Sequence, residues 1–483
     1  MFEANLLIGG DDVRACDGAT FERRNPLGGA IATRAAAATV ADAGAAADAA
    51  GAAFPGWAAT GPKDRRAKLT AAADLIEKRA ADFVAMMMDE LGATRAYALF
   101  NVRQGVDTLR EAAAMTTQVC GEVIPSDVPG RLAMTVRRPA GVVLGIAPWN
   151  APLILGLRAV AMPLACGNTT VLKSSELSPG THRLIGDAFR DAGLPPGTIN
   201  VVSNAPADGP AVVEALIAHP AVRRVNFTGS TRIGRIIGEK AARHLKPALL
   251  ELGGKAPLVV LEDADLDAAV AATAFGAYIN QGQICMSTEL AVVDDSVADA
   301  YVAKLAHKAA SLPAGDPSCG DVVLGAMIDR EAAQRVAALV DDAVGKGAVV
   351  AAGGTVEGPV MAATVLDRVT ADMRIFHEES FGPVVSVVRA AGPDEAVRFA
   401  NSGEYGLAAA VFGRDVGQAL AVAMRIESGI CHVNGATVHA EPQVPFGGVK
   451  ASGYGRFGGK AGIEAFTELR WLSIATEAAR FPF

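Results

Sequence analysis

From residue 141 onward, short β-branched runs alternate with helical stretches, and this alternation constrains the fold more than any other feature of the chain. The runs GVVLGIA, TTVLK, INVVS, RRVNFTG and PALLELGG are separated from one another by segments with helical spacing. Apolar strands joined by helices of this length form a parallel sheet that is covered on both faces. The sequence therefore predicts an α/β fold built on a doubly wound parallel sheet.

A second series of apolar runs begins at residue 257 with PLVVL and continues through ELAVVDD, FGPVVSVVRA and AAAVFG. This repetition predicts a second α/β domain, with a hinge at residues 251–255. The first 118 residues have mainly helical patterns. Residues 121–140 have the turn residues and alternation of a hairpin, and FTELRWLSI is a strand-like run with no obvious partner in its own domain.

Length, charge and cysteine usage exclude several classes of protein. A chain of 483 residues exceeds the size of one ordinary core, so two or three domains are expected. The net charge of −8 argues against a nucleic-acid partner. The six cysteines are scattered and share no ligand spacing with the histidines, so neither a disulfide framework nor a metal site is expected.

The segment GVVLGIAPWNAPLILGLRAVAMPLACG is apolar for more than twenty positions, which is the length of a membrane span. Pro148, Asn150, Pro152 and Arg158 interrupt it, so a strand, a turn and a buried helix are predicted instead, and no membrane association is expected. The N-terminus lacks the basic region and the apolar length of a signal peptide, so the expected compartment is the reducing cytoplasm.

The stretch NQGQICMSTE places Cys285 between two apolar residues and several small polar ones. A free cysteine is more often a buried space-filler than a nucleophile, and this stretch by itself supports only the former. The turn IAPWNAP fixes Asn150 between two prolines, where its amide is either a turn former or a donor to an oxyanion. Glu251 ends the apolar run PALLE, and it is either a general base with a raised pKa or a carboxylate neutralised by a cation.

Two further segments fit a nucleotide, and both also have simpler interpretations. NFTGSTRIG places Gly229 and Ser230 between a strand and a helix, where backbone N–H groups hold phosphates; the alternative is a tight turn. TVLKSSELSP places Lys173 and Glu176 at the end of a strand. A carboxylate there accepts ribose hydroxyls and repels a 2′-phosphate, which favours NAD over NADP; the alternative is a surface Lys and a helix-capping Glu.

Seven motifs together identify a family resemblance. PWN, LKSSELSP, NFTGSTRIG, ELGGK, QGQICMS, EESFGPV and PFGGVKASGYGR occur in the order and spacing of the aldehyde dehydrogenase superfamily, which the chain resembles from about residue 20 onward. The resemblance implies an NAD-binding domain (1–119 and 141–250), a catalytic domain (251–445) and oligomerisation elements (120–140 and 466–483). It also implies a homodimer or homotetramer in which the C-terminal strand completes a partner's sheet.

The resemblance also implies residue roles. Cys285 would be the nucleophile, Glu251 the general base and Asn150 an oxyanion donor. The cofactor-binding residues would be Trp149, Lys173, Glu176, Gly229, Ser230, Glu379 and Phe381. An aldehyde would add to the Cys285 thiolate, be oxidised by NAD and leave as a carboxylic acid. Relatives that pass the acyl group to coenzyme A generally lack the Glu of ELGGK, so hydrolysis is expected here.

Within the superfamily, the segments RRPAGVVLGIAPWNAPLILGLRAVA and KASGYGRFGGKAGIEAFTELRW resemble the bacterial salicylaldehyde and vanillin dehydrogenases. By family position, Arg158 would lie in the aldehyde tunnel, where it would pair with a substrate phenol or with a protein carboxylate. The other expected pocket residues are Tyr97, Ala151, Leu155, Ile279, Ile284 and Met286. The alternatives are a dehydrogenase of aliphatic aldehydes or semialdehydes, a thiol acyltransferase or esterase, and a non-enzymatic oligomer.

Overall fold

The computed structural model describes residues 1–478, 481 and 483. Its centre is a mixed sheet of eight described strands. From one edge to the other, these are Gly453–Tyr454, Ala248–Glu251, Val222–Thr228, Val142–Ile146, Thr169–Lys173, Ile199–Val202, Leu6–Ile8 and Asp11–Val13. The five strands from Ala248–Glu251 to Ile199–Val202 are parallel, and the other three pair antiparallel at the edges. The predicted doubly wound parallel sheet is confirmed.

The parallel strands are buried on both faces because helices cover both sides of the sheet. Every residue of Val142–Ile146 and of Thr169–Lys173 is buried. The connecting helices are Pro152–Ala165, Pro179–Asp191, Gly209–Ala218 and Thr231–Arg243. The apolar segment that has the length of a membrane span is thus a strand, a turn and a helix. In the described part of the chain, no helix combines the length and the apolar character that crossing a bilayer requires.

The chain direction across this sheet creates a crevice. After Val142–Ile146 the chain adds two strands on one side, and it then returns to add Val222–Thr228 and Ala248–Glu251 on the other. Ligands of doubly wound sheets bind at such a switch point, beyond the carboxyl ends of the strands.

The second sheet, also predicted, contains seven described strands. In spatial order, these are Val349–Ala352, Thr364–Asp367, Val384–Ala390, Thr288–Asp294, Ala256–Val260, Ala408–Phe412 and Ile430–Val433. Only the edge strand Val349–Ala352 pairs antiparallel among the described residues. The helices of this region and beyond are Leu266–Tyr278, Asp295–Ala310, Arg330–Gly345, Arg374–His377, Pro393–Asn401, Val416–Ala423 and Gly459–Ala465.

The expectation of mainly helical structure is wrong for the first 36 residues. Besides the two edge strands of the central sheet, this segment forms a small sheet of Phe2–Ala4, Ile31–Ala36 and Thr20–Arg24. The helices begin only after Thr39, whose side chain and Asp42 form a capping box. They are Val40–Ala59, Pro62–Lys78, Ala80–Leu91 and Arg95–Ala114. Gly9 and Gly10, both with positive φ, make the turn that starts a hairpin instead of a helix.

A third sheet contains Val123–Ile124, Arg131–Pro139 and Thr467–Ala475. The last strand, for which the sequence offered no obvious partner, pairs antiparallel with Arg131–Pro139 of the same chain along its full length. It also forms an edge of the sheet, with Leu469, Trp471 and Ile474 exposed. Of the range 466–483, residues 479, 480 and 482 lie outside the described residues.

Candidate active site

Cys285 lies in the loop between the helix Leu266–Tyr278 and the strand Thr288–Asp294. The turn before it has three consecutive residues with left-handed backbone: Asn280 at φ 50°, Gln281 at φ 56° and Gly282 at φ 69°. Such a conformation is costly for residues with side chains, and it persists where the surroundings hold it, often at functional sites. Here the Ser287 hydroxyl donates to the Gly282 carbonyl at 2.9 Å, which closes the loop around the cysteine.

Asn150 lies in the turn between the strand Val142–Ile146 and the helix Pro152–Ala165, and it contacts the Cys285 loop. It is buried, and its side-chain Nδ2 donates to the backbone carbonyl of Gln283 at 3.0 Å. An amide nitrogen carries two hydrogens, so one N–H of Asn150 remains to serve another acceptor. The amide and Cys285 line the same cavity, where this N–H is available to an oxygen of a bound molecule.

Glu251 ends its strand in a fully enclosed position, with 1 % of its surface exposed. Neither carboxylate oxygen forms a hydrogen bond with the described residues. Burial raises the pKa of Glu251 to about 7, against smaller opposing effects of Arg158 and Cys285. A carboxylate with this pKa accepts a proton near neutral pH and is a competent general base.

Burial, followed by the negative charge of Glu251, raises the pKa of the Cys285 thiol well above its usual value. The thiol is therefore protonated at neutral pH in this structure. A thiolate at Cys285 would have to be generated by proton transfer, and Glu251 is the carboxylate whose charge acts most strongly on Cys285.

The predicted cofactor residues of the first domain border the crevice at the switch point. Lys173 is the last residue of its strand and forms an ion pair with Glu176, whose carboxylate also accepts from Asn204 Nδ2 at 3.0 Å. Ser230 caps the helix Thr231–Arg243 at its N-terminus. A Cβ at Gly229 would lie 2.4 Å from the Phe227 ring, so a side chain there would have to displace the ring.

On the other side of the crevice, Glu379 accepts a hydrogen bond from Gly254 N at 2.8 Å. Burial and then the charge of Glu289 raise the pKa of Glu379 to about 8. Phe381 has φ 48°, and its ring meets Trp149 edge to face with centroids 5.8 Å apart. The structure therefore brings Trp149 close to the loop that carries Glu379.

Sequence reasoning missed the pair that holds this loop. Glu289 is buried and accepts from Lys255 Nζ at 2.6 Å, from Ser380 N at 2.7 Å and from Phe381 N at 3.0 Å. The only signal was a carboxylate at the start of the apolar run ELAVV. A buried carboxylate with three donors is satisfied, and it fixes the backbone next to Glu379.

A helix N-terminus, a carboxylate suited to ribose hydroxyls and a strand crevice together fit an adenine dinucleotide. The buried hydroxyl of Ser174, next to Lys173, has no hydrogen-bond partner among the described residues, which leaves it available to a ligand. No cluster of three or more His, Cys, Asp or Glu residues suited to a metal ion occurs in the described ranges.

A cavity of about 700 Å³ leads to Cys285. Of the residues predicted for the pocket, the lining includes Tyr97, Ala151, Leu155, Arg158, Ile284 and Met286, together with Asn150. The structure places Ile279 outside this lining, packed against the main hydrophobic core. Sequence reasoning missed Phe446 and Phe457, which also line the cavity and lie in the segment PFGGVKASGYGRF.

Arg158 projects from the helix Pro152–Ala165 into this cavity. Its guanidinium carbon lies 4.1 Å from the centroid of the Phe446 ring and 5.9 Å from that of Phe457. Burial lowers the pKa of Arg158, and the charge of Glu251 partly opposes this. No carboxylate in the described part of the chain forms an ion pair with it, so the protein supplies aromatic faces and leaves the N–H donors to the cavity.

Comparison with known proteins agrees with this geometry. A family model described as the aldehyde dehydrogenase family matches residues 13–472. A vanillin dehydrogenase of Pseudomonas fluorescens is 61 % identical over 482 residues, and a salicylaldehyde dehydrogenase of Pseudomonas putida is 49 % identical; each match covers 100 % of both chains.

The same similarity extends to solved structures. The crystal structure of a salicylaldehyde dehydrogenase from Pseudomonas putida G7, complexed with salicylaldehyde, superposes with a TM-score of 0.98. The two chains are 48 % identical, and the match covers 100 % of each.

Proposed function

The chain belongs to the aldehyde dehydrogenase family, and from this premise we propose that it oxidises a hydroxybenzaldehyde-type aromatic aldehyde to the carboxylic acid. The observation that carries the proposal is the guanidinium of Arg158, which lines the same aromatic cavity as Cys285 and is unpaired by any described carboxylate. A phenolic hydroxyl or phenolate is a partner that suits such a group. The likeness to a vanillin dehydrogenase and a salicylaldehyde dehydrogenase supports the same substrate class.

The first chemical step is addition of Cys285 to the aldehyde. Glu251 accepts the thiol proton, and Cys285 Sγ bonds to the carbonyl carbon, which leaves a negative charge on the carbonyl oxygen. The remaining N–H of Asn150 and the backbone N–H of Cys285 hold this oxyanion. The buried position of Glu251 supports its role, because a base with a pKa of about 7 accepts and releases protons at neutral pH.

Covalent addition prepares the carbon for oxidation, because a carbon that bears an oxyanion releases hydride readily. When bound, the nicotinamide ring supplies the hydride acceptor. The acyl group then remains on Cys285 as a thioester. After Glu251 has released the thiol proton to solvent, it removes a proton from water, and the water attacks the thioester. The carboxylic acid leaves, and Glu251 returns the proton to the Cys285 sulfur so that the thiol re-forms.

The family uses NAD or NADP, and solved structures similar to this chain include an NAD-dependent and an NADP-dependent enzyme. For this chain we propose a preference for NAD. The Glu176 carboxylate supports it, because a negative charge at that position accepts the ribose hydroxyls and repels a 2′-phosphate. We assign the same cofactor roles as the sequence analysis to Trp149, Lys173, Gly229, Ser230, Glu379 and Phe381.

The proposed assembly is a homodimer or homotetramer. The exposed edge strand Thr467–Ala475, paired with Arg131–Pro139, supports a role for 120–140 and 466–483 as oligomerisation elements. Residues 1–119 and 141–250 would form the NAD-binding domain and 251–445 the catalytic domain. The six free thiols support a reducing compartment, which we propose is the cytoplasm.

The test is NADH formation at 340 nm with NAD and a panel of vanillin, salicylaldehyde, benzaldehyde, hexanal and succinic semialdehyde. We expect the highest kcat/KM with the hydroxylated benzaldehydes and no activity from Cys285→Ser. Preference for hexanal or the semialdehyde would overturn the proposed substrate class. If the protein formed no NADH from any aldehyde, the result would favour a non-enzymatic oligomer or an acyl-transfer activity.

A further inference from the structure

Two side chains converge on the backbone carbonyl of Asn150. The Tyr97 hydroxyl donates to this oxygen at 2.9 Å, and Asn280 Nδ2 donates to it at 3.0 Å. All three residues are buried. A carbonyl oxygen has two lone pairs, so these two donors satisfy it completely.

The other end of Asn150 is also held, since its Nδ2 donates to the carbonyl of Gln283. The residue is therefore fixed at its backbone by the helix Arg95–Ala114, which carries Tyr97, and at its side chain by the cysteine loop. A donor fixed in this way costs little reorganisation when charge develops on the substrate oxygen, and small displacements of it reduce the rate.

We propose that Tyr97 is a positioning residue, whose hydroxyl aligns the Asn150 amide for the oxyanion while its ring forms a wall of the aldehyde cavity. This inference rests on the proposed function, because it takes Asn150 as the oxyanion donor. Tyr97 would then contact the aromatic ring of the substrate and also align the Asn150 amide that holds the oxyanion.

The Tyr97 hydroxyl suits this role because it stays protonated. Burial raises the pKa of Tyr97 above its usual value, so the hydroxyl remains a donor throughout the working pH range. If it were removed, Asn280 would still donate to the carbonyl, so the oxygen would not be left without a partner. Tyr97→Phe should therefore loosen the turn without unfolding the protein.

The chain offers a matched control. Tyr278 is equally buried, and its hydroxyl also donates to a backbone carbonyl, that of Thr364 at 3.1 Å. Tyr278→Phe removes the same kind of bond outside the cavity. A purely structural effect of losing a buried hydroxyl would appear in both variants.

The experiment uses the full-length enzyme with NAD and benzaldehyde, which has no ring hydroxyl. The rate of NADH formation in the first turnover is measured by stopped flow. For Tyr97→Phe we expect a fall of about tenfold, smaller than the roughly hundredfold loss expected for Asn150→Ala. The KM for benzaldehyde and NAD should stay within about twofold of wild type, and Tyr278→Phe should react at the wild-type rate.

A second measurement separates the oxyanion from the nucleophile. Alkylation of Cys285 by iodoacetamide creates no oxyanion, so its rate, followed by mass spectrometry of the Cys285 peptide, should be the same in Tyr97→Phe and wild type. The inference is overturned if Tyr97→Phe keeps the wild-type first-turnover rate, if its alkylation slows in parallel, or if Tyr278→Phe loses as much. An inactive wild-type enzyme would instead overturn the proposed function.

Discussion

Arg158 lies over the ring of Phe446, with its guanidinium carbon 4.1 Å from the ring centroid, and both residues line the cavity that leads to Cys285. The two residues are far apart in the chain and approach only through the fold. A cation–π contact uses none of the hydrogen-bond donors of the guanidinium, so these donors remain available to a substrate oxygen.

The contact makes Arg158 the first target for a specificity test. Arg158→Met keeps much of the apolar stem and removes the charge. We expect the KM for vanillin and salicylaldehyde to rise roughly ten- to a hundredfold, because a hydrogen bond to a charged group contributes about 1.5–3 kcal/mol. The KM for benzaldehyde should change little. Equal changes for hydroxylated and unsubstituted benzaldehydes would show that Arg158 does not recognise the ring substituent.

The second prediction concerns pH. Because burial raises the pKa of Glu251 to about 7, its basic form is lost as the pH falls through that value. The rate of thioester hydrolysis should therefore rise about tenfold per pH unit below 7 and level off above it. Single-turnover kinetics between pH 5.5 and 8.5 would measure this. Glu251→Gln should lose the slope together with most of the rate, and a pH profile that the substitution left unchanged would assign the base to another group.

Cofactor preference depends on the charge of Glu176 in our account. Glu176→Gln keeps the shape of the side chain and removes the charge that repels a 2′-phosphate. We expect the ratio of kcat/KM for NAD to that for NADP to fall by about tenfold or more. The KM for the aldehyde should be unaffected. If Glu176→Gln kept the wild-type preference for NAD, another residue of the crevice would discriminate between NAD and NADP.

The exposed edge strand gives a prediction about assembly. Trp471 is 71 % exposed on the strand Thr467–Ala475, and an exposed aromatic residue on an unpaired edge indicates an interface. Trp471→Glu should reduce the molar mass measured by light scattering at micromolar concentration. Met424→Glu is the control, since Met424 is 79 % exposed elsewhere. A mass that neither substitution changes would remove this strand from the proposed interface.

The sequence predicted the parts of the fold that depend on local pattern. The parallel strands are continuous apolar runs, and the residues that end them, such as Lys173 and Glu251, could be placed at a common edge because parallel strands share their direction. The strands of the first 36 residues were missed because each is only three to six residues long, too short for a clear alternating pattern. The pairing of Thr467–Ala475 with Arg131–Pro139 joins segments more than 300 residues apart, which no local pattern records.

The residues of the candidate site that belong to recognisable motifs could be predicted from the sequence. Those whose position depends on tertiary packing could not. Motifs identified Cys285 and Asn150, but the left-handed backbone of Asn280 depends on contacts with the surrounding loops. Phe446, which contacts Arg158, lies in the segment PFGGVKASGYGR. This segment indicated the family but gave no sign of a contact with Arg158. Ile279 has a suitable side chain and chain position, yet it lies outside the cavity lining and packs against the main hydrophobic core, next to the left-handed residues Asn280 and Gln281.

The central claim is that Cys285 carries the acyl group of an aromatic aldehyde until Glu251 activates water. Glu251→Gln lacks the base for both steps, so it should form the acyl group slowly and release it more slowly still, and mass spectrometry during the first turnover with NAD and vanillin measures the claim directly. We predict one vanilloyl group per subunit on the Cys285 peptide, formed together with one equivalent of NADH. NADH formation with no acyl group on Cys285, or turnover by Cys285→Ser at the wild-type rate, would contradict the account.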